Sequence, residues 1–270
     1  MPELPEVESV RRQIVDLVRG RTVVSVSRDP YHTDRIYALD DATQRRIDTV
    51  IRRGKYLLFG LAAPNGSRDK ELVVHLGMTG VLNFAPNGTH VRVAFTLDNG
   101  AVLAFHDPRR FGRVCVVTSG VYDTIPTLAT LGPEPLEDDW LPHTFAAALK
   151  RSSAPVKAAL LNQRVVAGVG NIYADEALWA ARIHPASRRV GAARAAVLHA
   201  EIRRILAEAV EREGTTFRNY QLVNGASGRY VTSLNVYGRH GENCRRCNTV
   251  LRRTVIAQRG TTFCPACQRI

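Results

Sequence analysis

Apolar and charged residues follow a helical period at the start of the chain. Residues 5–19 place apolar side chains on one side and charged side chains on the other, which predicts an amphipathic helix that ends before Gly20. The apolar side consists of Val7, Val10, Ile14, Leu17 and Val18. We expect this side to face a hydrophobic core.

From residue 22 to about residue 117 the pattern changes to short runs of β-branched and aromatic residues, broken by Asn-Gly turns. The runs are residues 22–26, 56–61, 72–76, 91–97, 101–106 and 114–118. Several short strands at this spacing are typical of a β-sandwich or a barrel. Cys115 lies alone in one run and is predicted to be a buried small hydrophobe rather than a nucleophile.

The second half of the chain returns to helical periodicity. Residues 131–142 have no core-forming period and read as an interdomain linker, because they contain Gly132-Pro133, Pro135 and an acidic run. The predicted helices beyond it are residues 144–151, 155–166, 172–182 and 192–213. The chain therefore combines a β-rich first part with a mainly helical second part.

Composition and charge narrow the classes of function. No apolar run is long enough to cross a membrane, and Glu3, Glu6 and Glu8 stand where a signal peptide would be basic and then apolar. We therefore expect a cytoplasmic protein. The formal net charge of +12 favours a polyanionic partner, and nucleic acid is the first expectation. Half of that excess lies in the last 33 residues, which contain seven arginines and one acid.

Four cysteines are clustered at the C-terminal end. Cys244 and Cys247 form one Cys-x-x-Cys pair, Cys264 and Cys267 form a second, and sixteen residues separate the pairs. This spacing predicts a tetrahedral zinc site whose intervening residues fold back as a hairpin, the alternative being a redox or fortuitous pair. Four thiolates leave no position for a substrate, so the Zn²⁺ ion is predicted to be structural.

A glycine-rich turn precedes one of the predicted helices. Gly168 and Gly170 end the preceding predicted helix before Asn171, which stands where the next helix needs an N-cap. The start of a helix offers free N–H groups to a phosphate. The alternative is an ordinary helix hairpin without a ligand, and the basic net charge favours DNA binding.

The N-terminal residues could supply catalytic groups, namely carboxylates and a secondary amine. Helical geometry directs Glu3, and less closely Glu6, toward the apolar side of the first helix, unless the residues up to Leu4 precede the helix and Glu3 is solvated. Removal of Met1 would leave the secondary amine of Pro2 beside Glu3. Because an α-amino group titrates near 8, this amine is a usable nucleophile toward a sugar C1′ at neutral pH.

Several motifs occur in order along the whole chain. They are Met1-Pro-Glu-Leu-Pro-Glu-Val-Glu8, Arg53-Gly-Lys-Tyr-Leu57, His75-Leu-Gly-Met-Thr-Gly80, Asp107-Pro-Arg-Arg-Phe-Gly112, Gly168-Val-Gly-Asn-Ile-Tyr173 and the two cysteine pairs. Together they resemble the bacterial formamidopyrimidine-DNA glycosylases. The leucine of Pro-Glu-Leu-Pro-Glu favours this branch over the related endonuclease VIII branch, which prefers oxidised pyrimidines.

The resemblance implies an α+β multidomain fold that clamps bent duplex DNA. Its expected parts are a β-sandwich led by a catalytic helix (residues 1–130), a linker (131–143), a helix-two-turn-helix domain (144–236) and a zinc ribbon (237–270). The implied activity belongs to base excision repair: excision of oxidised purines, such as 8-oxoguanine and formamidopyrimidines, followed by cleavage of the abasic strand. The implied partner is double-stranded DNA near the nucleoid, and the protein is expected to act as a monomer.

The resemblance also assigns roles to individual residues. Pro2 would be the Schiff-base nucleophile, Glu3 the acid that assists deoxyribose opening, Lys55 a proton donor or phosphate contact, and Arg259 the residue for δ-elimination. The DNA-binding set would comprise His75, Met78, His90, Arg109, Phe111, Arg151 and Asn171, with Met78, Arg109 and Phe111 filling the space of an extruded nucleotide. Glu6 resembles a residue with a mainly structural role.

Three expectations keep alternatives open. Residues 216–230 match a loop that closes over an extruded purine, but Thr216-Phe-Arg-Asn-Tyr220 departs from the usual Thr-Leu-Arg-Asp-Phe. Met78 and Phe111 could instead be core residues, with Arg109 paired to Asp107. The competing functions are an oxidised-pyrimidine glycosylase and a non-catalytic DNA-binding protein, and Pro2 and Glu3 argue against the latter.

Overall fold

The computed structural model describes residues 1–30, 34–215 and 229–270. Its helices are α1 Leu4–Val18, α2 Pro126–Ala129, α3 Pro142–Arg151, α4 Val156–Leu161, α5 Asn171–Ala180 and α6 Ala192–Glu211. Its strands are β1 Val23–Arg28, β2 Ile36–Tyr37, β3 Arg46–Arg53, β4 Tyr56–Ala62, β5 Lys70–His75, β6 Val81–Asn83, β7 Val91–Leu97, β8 Val102–His106, β9 Arg113–Thr118, β10 Arg252–Ile256 and β11 Arg259–Phe263. No helix in these described ranges is long and apolar enough to cross a membrane.

The chain forms two compact units. The first unit comprises residues 1–129 and 213–229, and the second comprises residues 130–212 and 230–270. The first unit contains a four-stranded sheet in the order β1-β7-β8-β6 and a five-stranded sheet in the order β2-β9-β5-β4-β3. The mixed α and β architecture agrees with the expected fold class.

Both sheets of the first unit and helix α1 share one hydrophobic core. Val7, Val10 and Ile14 of α1 are each at most 1% exposed. They belong to the same buried cluster as Phe59 of β4 and Phe95 of β7, which lie in different sheets. The apolar side of the predicted first helix therefore faces the core, as expected, except for Leu17, which is exposed near the helix end.

The second unit is built from helices and one antiparallel hairpin. Helix α5 packs against α4, α6 and strand β11. Strands β10 and β11 pair directly, with Ile256 opposite Arg259, so only Ala257 and Gln258 form the turn. Both turn residues have positive φ, at 48° and 58°, which is the conformation of a tight two-residue hairpin turn.

The structure corrects several predicted elements. Strands β2, β3 and β6 lie outside the predicted runs, and the long charged strand β3 was missed because arginine and aspartate interrupt its apolar residues. The helix predicted over residues 155–166 ends at Leu161. After it, Gln163 has a φ of +65°, and its side chain accepts the N–H of Gly168, so the backbone turns instead of continuing the helix.

Candidate functional site

The start of α1 buries two carboxylates. Glu3 is the N-cap of the helix and forms a capping box with Glu6, whose Oε2 accepts the Glu3 N–H at 2.8 Å. Both side chains belong to residues that are only 1% exposed. The helix begins after Glu3, yet Glu3 is not solvated, so the prediction of two inward-facing carboxylates is confirmed. Pro2 is also buried, whereas Met1 is 47% exposed.

Glu6 connects the helix start to a second segment of the first unit. Its Oε1 accepts the N–H of Thr215 at 2.7 Å and the Thr215 hydroxyl at 3.0 Å. A Cβ on Gly214 would lie 2.5 Å from the same oxygen, so the close approach requires glycine. The expected purine-closing loop follows immediately, and its residues 216–228 lie outside the described residues.

Lys55 lies in the turn between β3 and β4, and His75 is the last residue of the neighbouring strand β5. Lys55 is 7% exposed and directly precedes Tyr56, which pairs with His75 across β4 and β5. The rings of Tyr56 and His75 have centroids 4.6 Å apart, and His75 Nδ1 accepts the N–H of Gly77 at 3.1 Å. Burial, with the positive charge of Lys55 next in size, lowers the pKa of His75 to about 4. His75 is therefore neutral at physiological pH and carries its proton on Nε2.

Two loops that carry predicted DNA contacts pack against each other in the first unit. Asp107 accepts the hydroxyl of Thr79 at 2.7 Å and the N–H of Gly112 at 2.7 Å, so it connects the loop of Met78 to the 107–112 loop. A Cβ on Gly77 would lie 2.7 Å from backbone atoms of the 107–112 loop. The positions of both loops are therefore set by close backbone contact.

Two side chains of the 107–112 loop, those of Arg109 and Phe111, are presented to solvent. Phe111 is 41% exposed, and the Arg109 guanidinium carbon lies 4.8 Å from the Phe111 ring centroid. Asp107 accepts the backbone N–H of Arg109 at 3.2 Å, and no ion pair between their side chains occurs among the described residues. Phe111 is therefore not a core residue, whereas Met78 is half-buried.

His90 lies close to Arg109. The exposed His90 accepts the Asp107 N–H through its backbone carbonyl at 2.9 Å. The two residues line one open groove of about 500 Å³, together with Thr79, Val81, Gly88, Thr89, His106 and Pro108. The first unit thus brings two of the predicted DNA contacts to one surface.

In the second unit the glycine turn lies against the hairpin of β10 and β11. Gly170, not Asn171, is the N-cap of α5, because Asn171 is the first helical residue. The Asn171 side chain instead donates from Nδ2 to the carbonyl of Gly260 at 3.1 Å. Gly260 follows the exposed Arg259, so the predicted phosphate contact Asn171 lies next to the backbone that carries Arg259. Arg151 is exposed at the last position of α3.

A buried ion pair that the sequence analysis missed supports the same hairpin. Lys157 Nζ lies 2.6 Å from Asp175 Oδ1, and both side chains are at most 1% exposed. Lys157 also donates to the Thr261 hydroxyl at 2.8 Å, and Asp175 accepts the N–H of Thr262 at 3.0 Å. Burial raises the pKa of the Asp175 carboxyl, and the Lys157 charge opposes that rise. The two charges are compensated by each other and by polar groups of β11.

The four clustered cysteines fit one metal ion. Their sulfur atoms all lie within 4.8 Å of one another, and a tetrahedral zinc site with Zn–S bonds of about 2.3 Å needs sulfur separations of about 3.8 Å. The indole N–H of Trp179 donates to Cys244 Sγ at 3.4 Å, which favours a thiolate. Cys115 lies elsewhere, in β9, and is fully buried as predicted.

Helix α5 contacts the C-terminal segment along one side. Three helix positions spaced by four residues contribute: Asn171 contacts Gly260, Asp175 contacts Thr262, and Trp179 contacts Cys244. Beyond the helix end, the carbonyl of Ile183 accepts from the Gln268 side chain. Arg246 adds a stacking contact, with its guanidinium carbon 4.1 Å from the Trp179 ring centroid. A sequence signal for this face existed, since Asp175 and Glu176 are two charged residues within a mainly apolar helix.

Comparisons with known proteins match this chain to the same family along its length. Three family models match: the formamidopyrimidine-DNA glycosylase N-terminal domain (residues 1–114), the formamidopyrimidine-DNA glycosylase H2TH domain (131–221), and the zinc finger found in FPG and IleRS (241–270). The formamidopyrimidine-DNA glycosylase of Deinococcus radiodurans is 47% identical, over 99% of this chain and 97% of that protein.

Solved structures of Fpg proteins also match almost the whole chain. The MutM (Fpg) protein of Thermus thermophilus has a TM-score of 0.91 at 46% identity and covers 99% of this chain and 98% of its own. A Lactococcus lactis Fpg mutant in complex with DNA containing Fapy-dG has a TM-score of 0.88 at 32% identity, with 100% of both chains covered. The Lactococcus lactis Fpg with DNA containing an abasic site has a TM-score of 0.87 at 32% identity, covering 99% and 100%.

Proposed function

Because the chain belongs to the formamidopyrimidine-DNA glycosylase family, we propose that it is a bifunctional DNA glycosylase and AP lyase. Its proposed substrates are oxidised purines in duplex DNA, namely 8-oxoguanine and formamidopyrimidines, and abasic sites. The support is that similar Lactococcus lactis proteins bind DNA containing Fapy-dG or an abasic site. We further propose that it acts as a monomer on nucleoid DNA in the cytoplasm.

The observation that carries this proposal is the start of helix α1. Pro2 is buried directly before Glu3, and the Glu3 carboxyl is buried although solvation would be less costly. Met1 is exposed and so is accessible for removal. Once Met1 is removed, a secondary amine and a carboxyl group occupy the same buried corner of the first unit.

The proposed reaction starts at the sugar. The Pro2 nitrogen forms a bond to C1′ while the glycosidic C–N bond breaks, and the base leaves with the bonding electrons and a proton. Glu3 donates a proton to O4′ as the deoxyribose ring opens, which leaves an iminium between Pro2 and C1′. The iminium makes the C2′ protons acidic, and loss of one expels the 3′ phosphate. A second elimination, assigned to Arg259, expels the 5′ phosphate.

The remaining predicted residues bind the DNA in this proposal. Lys55 donates a proton or contacts a phosphate near the lesion, and His90, Asn171 and Arg151 contact backbone phosphates. His75 contributes as a neutral N–H donor rather than as a cation, because its pKa is lowered to about 4. The four-cysteine zinc site is structural, and the hairpin that carries Arg259 depends on it.

The glycosidic bond is accessible only after the damaged base leaves the helix stack. We propose that Met78, Arg109 and Phe111 occupy the vacated space. The exposure of Arg109 and Phe111 and the fixed positions of both loops support this role, since Arg offers donors to the orphaned base and Phe can insert between stacked bases. We also propose that the chain divides into four parts, namely residues 1–130, 131–143, 144–236 and 237–270.

The experiment is a strand-cleavage assay on two labelled duplexes. One contains 8-oxoguanine opposite cytosine, and the other contains thymine glycol in the same sequence. We expect cleavage of the first to be at least tenfold faster, with products of β- and δ-elimination. Preferential cleavage of the thymine glycol duplex would instead support an oxidised-pyrimidine glycosylase, and binding without cleavage would support a non-catalytic protein.

A further inference from the structure

Two adjacent arginines of the 107–112 loop make different contacts. Arg109 is exposed beside Phe111, whereas Arg110 donates to Asp29 Oδ2 at 2.7 Å. Arg110 also has a φ of +57°, a left-handed conformation that residues with a Cβ rarely adopt. Such a conformation persists only where the surrounding contacts fix it.

Asp29 supplies contacts at two points of this loop. The same Oδ2 that accepts from Arg110 also accepts from Arg92 Nη1 at 2.5 Å. Arg92 in turn donates from Nε to the carbonyl of Asp107 at 2.8 Å. Through these two arginines, one carboxylate fixes both the first residue and the middle of the loop. The arrangement is largely shielded from water, since the Asp29 and Arg92 side chains are 14% and 8% exposed.

Asp29 itself has a firmly placed backbone. It directly follows strand β1, and its N–H donates to the carbonyl of Arg92 at 2.9 Å, which extends the pairing of β1 with β7. A carboxylate on a paired strand is a more rigid support than one in a loop. The position of the 107–112 loop is therefore set from the four-stranded sheet.

We propose that Asp29 is a positioning residue that acts through Arg92 and Arg110 to keep Arg109 and Phe111 presented for insertion into DNA. The proposal rests on the proposed function, because insertion is needed only where a base is extruded. A loop already in its inserting conformation loses less conformational entropy when it binds. Asp29 needs no contact with the DNA for this role.

The test compares Asp29→Asn with wild type on two substrates. Asp29→Asn keeps the shape of the side chain but removes the negative charge that both Arg92 and Arg110 contact. We expect excision of 8-oxoguanine from a duplex to slow about tenfold, while cleavage of a preformed abasic site changes less than twofold. A 2-aminopurine next to the lesion should also show a smaller rise in fluorescence, because it reports unstacking. Arg110→Met should give the same selectivity, and the double variant should be no worse than either single one.

A matched control is available in the same unit. Asp48 also binds two arginines, Arg46 at 2.8 Å and Arg68 at 2.7 Å, with a side chain that is 9% exposed, but it lies in β3 away from the loop. Asp48→Asn should leave the ratio of the two activities at the wild-type value. Equal losses on both substrates for Asp29→Asn, no loss, or the same selectivity in Asp48→Asn would each overturn the positioning role. Absence of cleavage by the wild-type protein would overturn the proposed function itself.

Discussion

The two units place their functional side chains by different means. In the first unit, α1 and both sheets share one large buried core, and the loops around Met78 and Arg109 are fixed on it by Asp107 and by glycine contacts. In the second unit, a small cluster of five buried residues joins Trp179 of α5 to residues that flank the C-terminal hairpin, Leu251 and Cys264 among them. The hairpin itself contributes none of these five residues. Its position depends instead on the cysteine site and on the Lys157–Asp175 pair.

This difference affects how the chemistry at Pro2 and DNA binding through Arg259 respond to the loss of one contact. Burial of apolar area is distributed over many residues, so no single polar contact decides whether the start of α1 is formed. A hairpin with a small core depends on a few strong interactions, and losing one of them displaces it. We therefore expect DNA binding through Arg259 to be sensitive to the loss of one interaction in the second unit. The chemistry at Pro2 should be less sensitive to such a loss in the first unit.

Among the changes that test this difference between the units, removal of the metal should have the largest effect. Replacing Cys247 by Ser, or stripping zinc, should unfold the hairpin and weaken DNA binding more than tenfold, since metal binding contributes about 10–16 kcal/mol to such folds. Fluorescence anisotropy with labelled duplex, beside a metal assay, measures this. Cys115→Ala, which removes a cysteine outside the site, should keep wild-type affinity and metal content. Unchanged affinity in metal-free protein would show that the hairpin is dispensable.

Breaking the buried ion pair should have the next largest effect. Lys157→Met leaves Asp175 buried without a counter-charge, which costs about 3–5 kcal/mol. Chemical denaturation should show this loss in the second unit. Replacing both residues, Lys157→Met with Asp175→Leu, should recover much of the stability because no uncompensated charge remains. A double variant as unstable as the single one would contradict the pairing.

Truncation of exposed loop residues should affect activity more than stability. Arg109→Ala should lose several-fold to a hundredfold on 8-oxoguanine opposite cytosine, equivalent to about 1–3 kcal/mol, and less on a preformed abasic site. Phe111→Ala should behave similarly with little change in melting temperature, because Phe111 is 41% exposed. Arg19→Ala, at an exposed position of the same unit, serves as a control. A large fall in melting temperature would favour a core role.

The effect that is smallest at physiological pH is a pH dependence of stability from His75. Because its pKa is lowered to about 4, the unfolded chain takes up the proton first as pH falls below about 6.5. The folded state is then destabilised between about pH 6.5 and 4, by at most about 1.4 kcal/mol per pH unit. Unfolding free energies of wild type and His75→Gln across this range measure it, and parallel curves would contradict the lowered pKa.

Much of the fold and of the metal site was predictable from periodicity and spacing. The apolar side of α1, six strand runs and the cysteine pairs are local patterns, and local patterns survive in a single sequence. Helical geometry also indicated an inward-facing Glu3 but left a solvated Glu3 open, because Glu3 precedes the first helical residue. The misplaced end of α4 reflects a side-chain contact, from Gln163 to Gly168, that competes with the helix and has no periodic signal.

The contacts that fix the site from a distance were not predictable. Lys157 and Asp175 are separated by 18 positions, and Asp29 and Arg110 by 81, so their pairing depends on how the elements pack. Charged residues in sequence usually indicate a solvated face, and only the structure shows that these charges are paired. Positioning residues are therefore the part of a site that sequence reasoning misses first.

The central claim is that the amine of Pro2 forms a covalent intermediate with damaged DNA. The direct measurement is borohydride reduction of the protein with a duplex containing 8-oxoguanine opposite cytosine, followed by proteolysis and mass spectrometry of the adduct. We expect one trapped complex whose modified peptide begins at Pro2, and none for Pro2→Gly although lesion binding stays within about tenfold. An adduct on Lys55 or another lysine, or full trapping with Met1 retained, would contradict the claim.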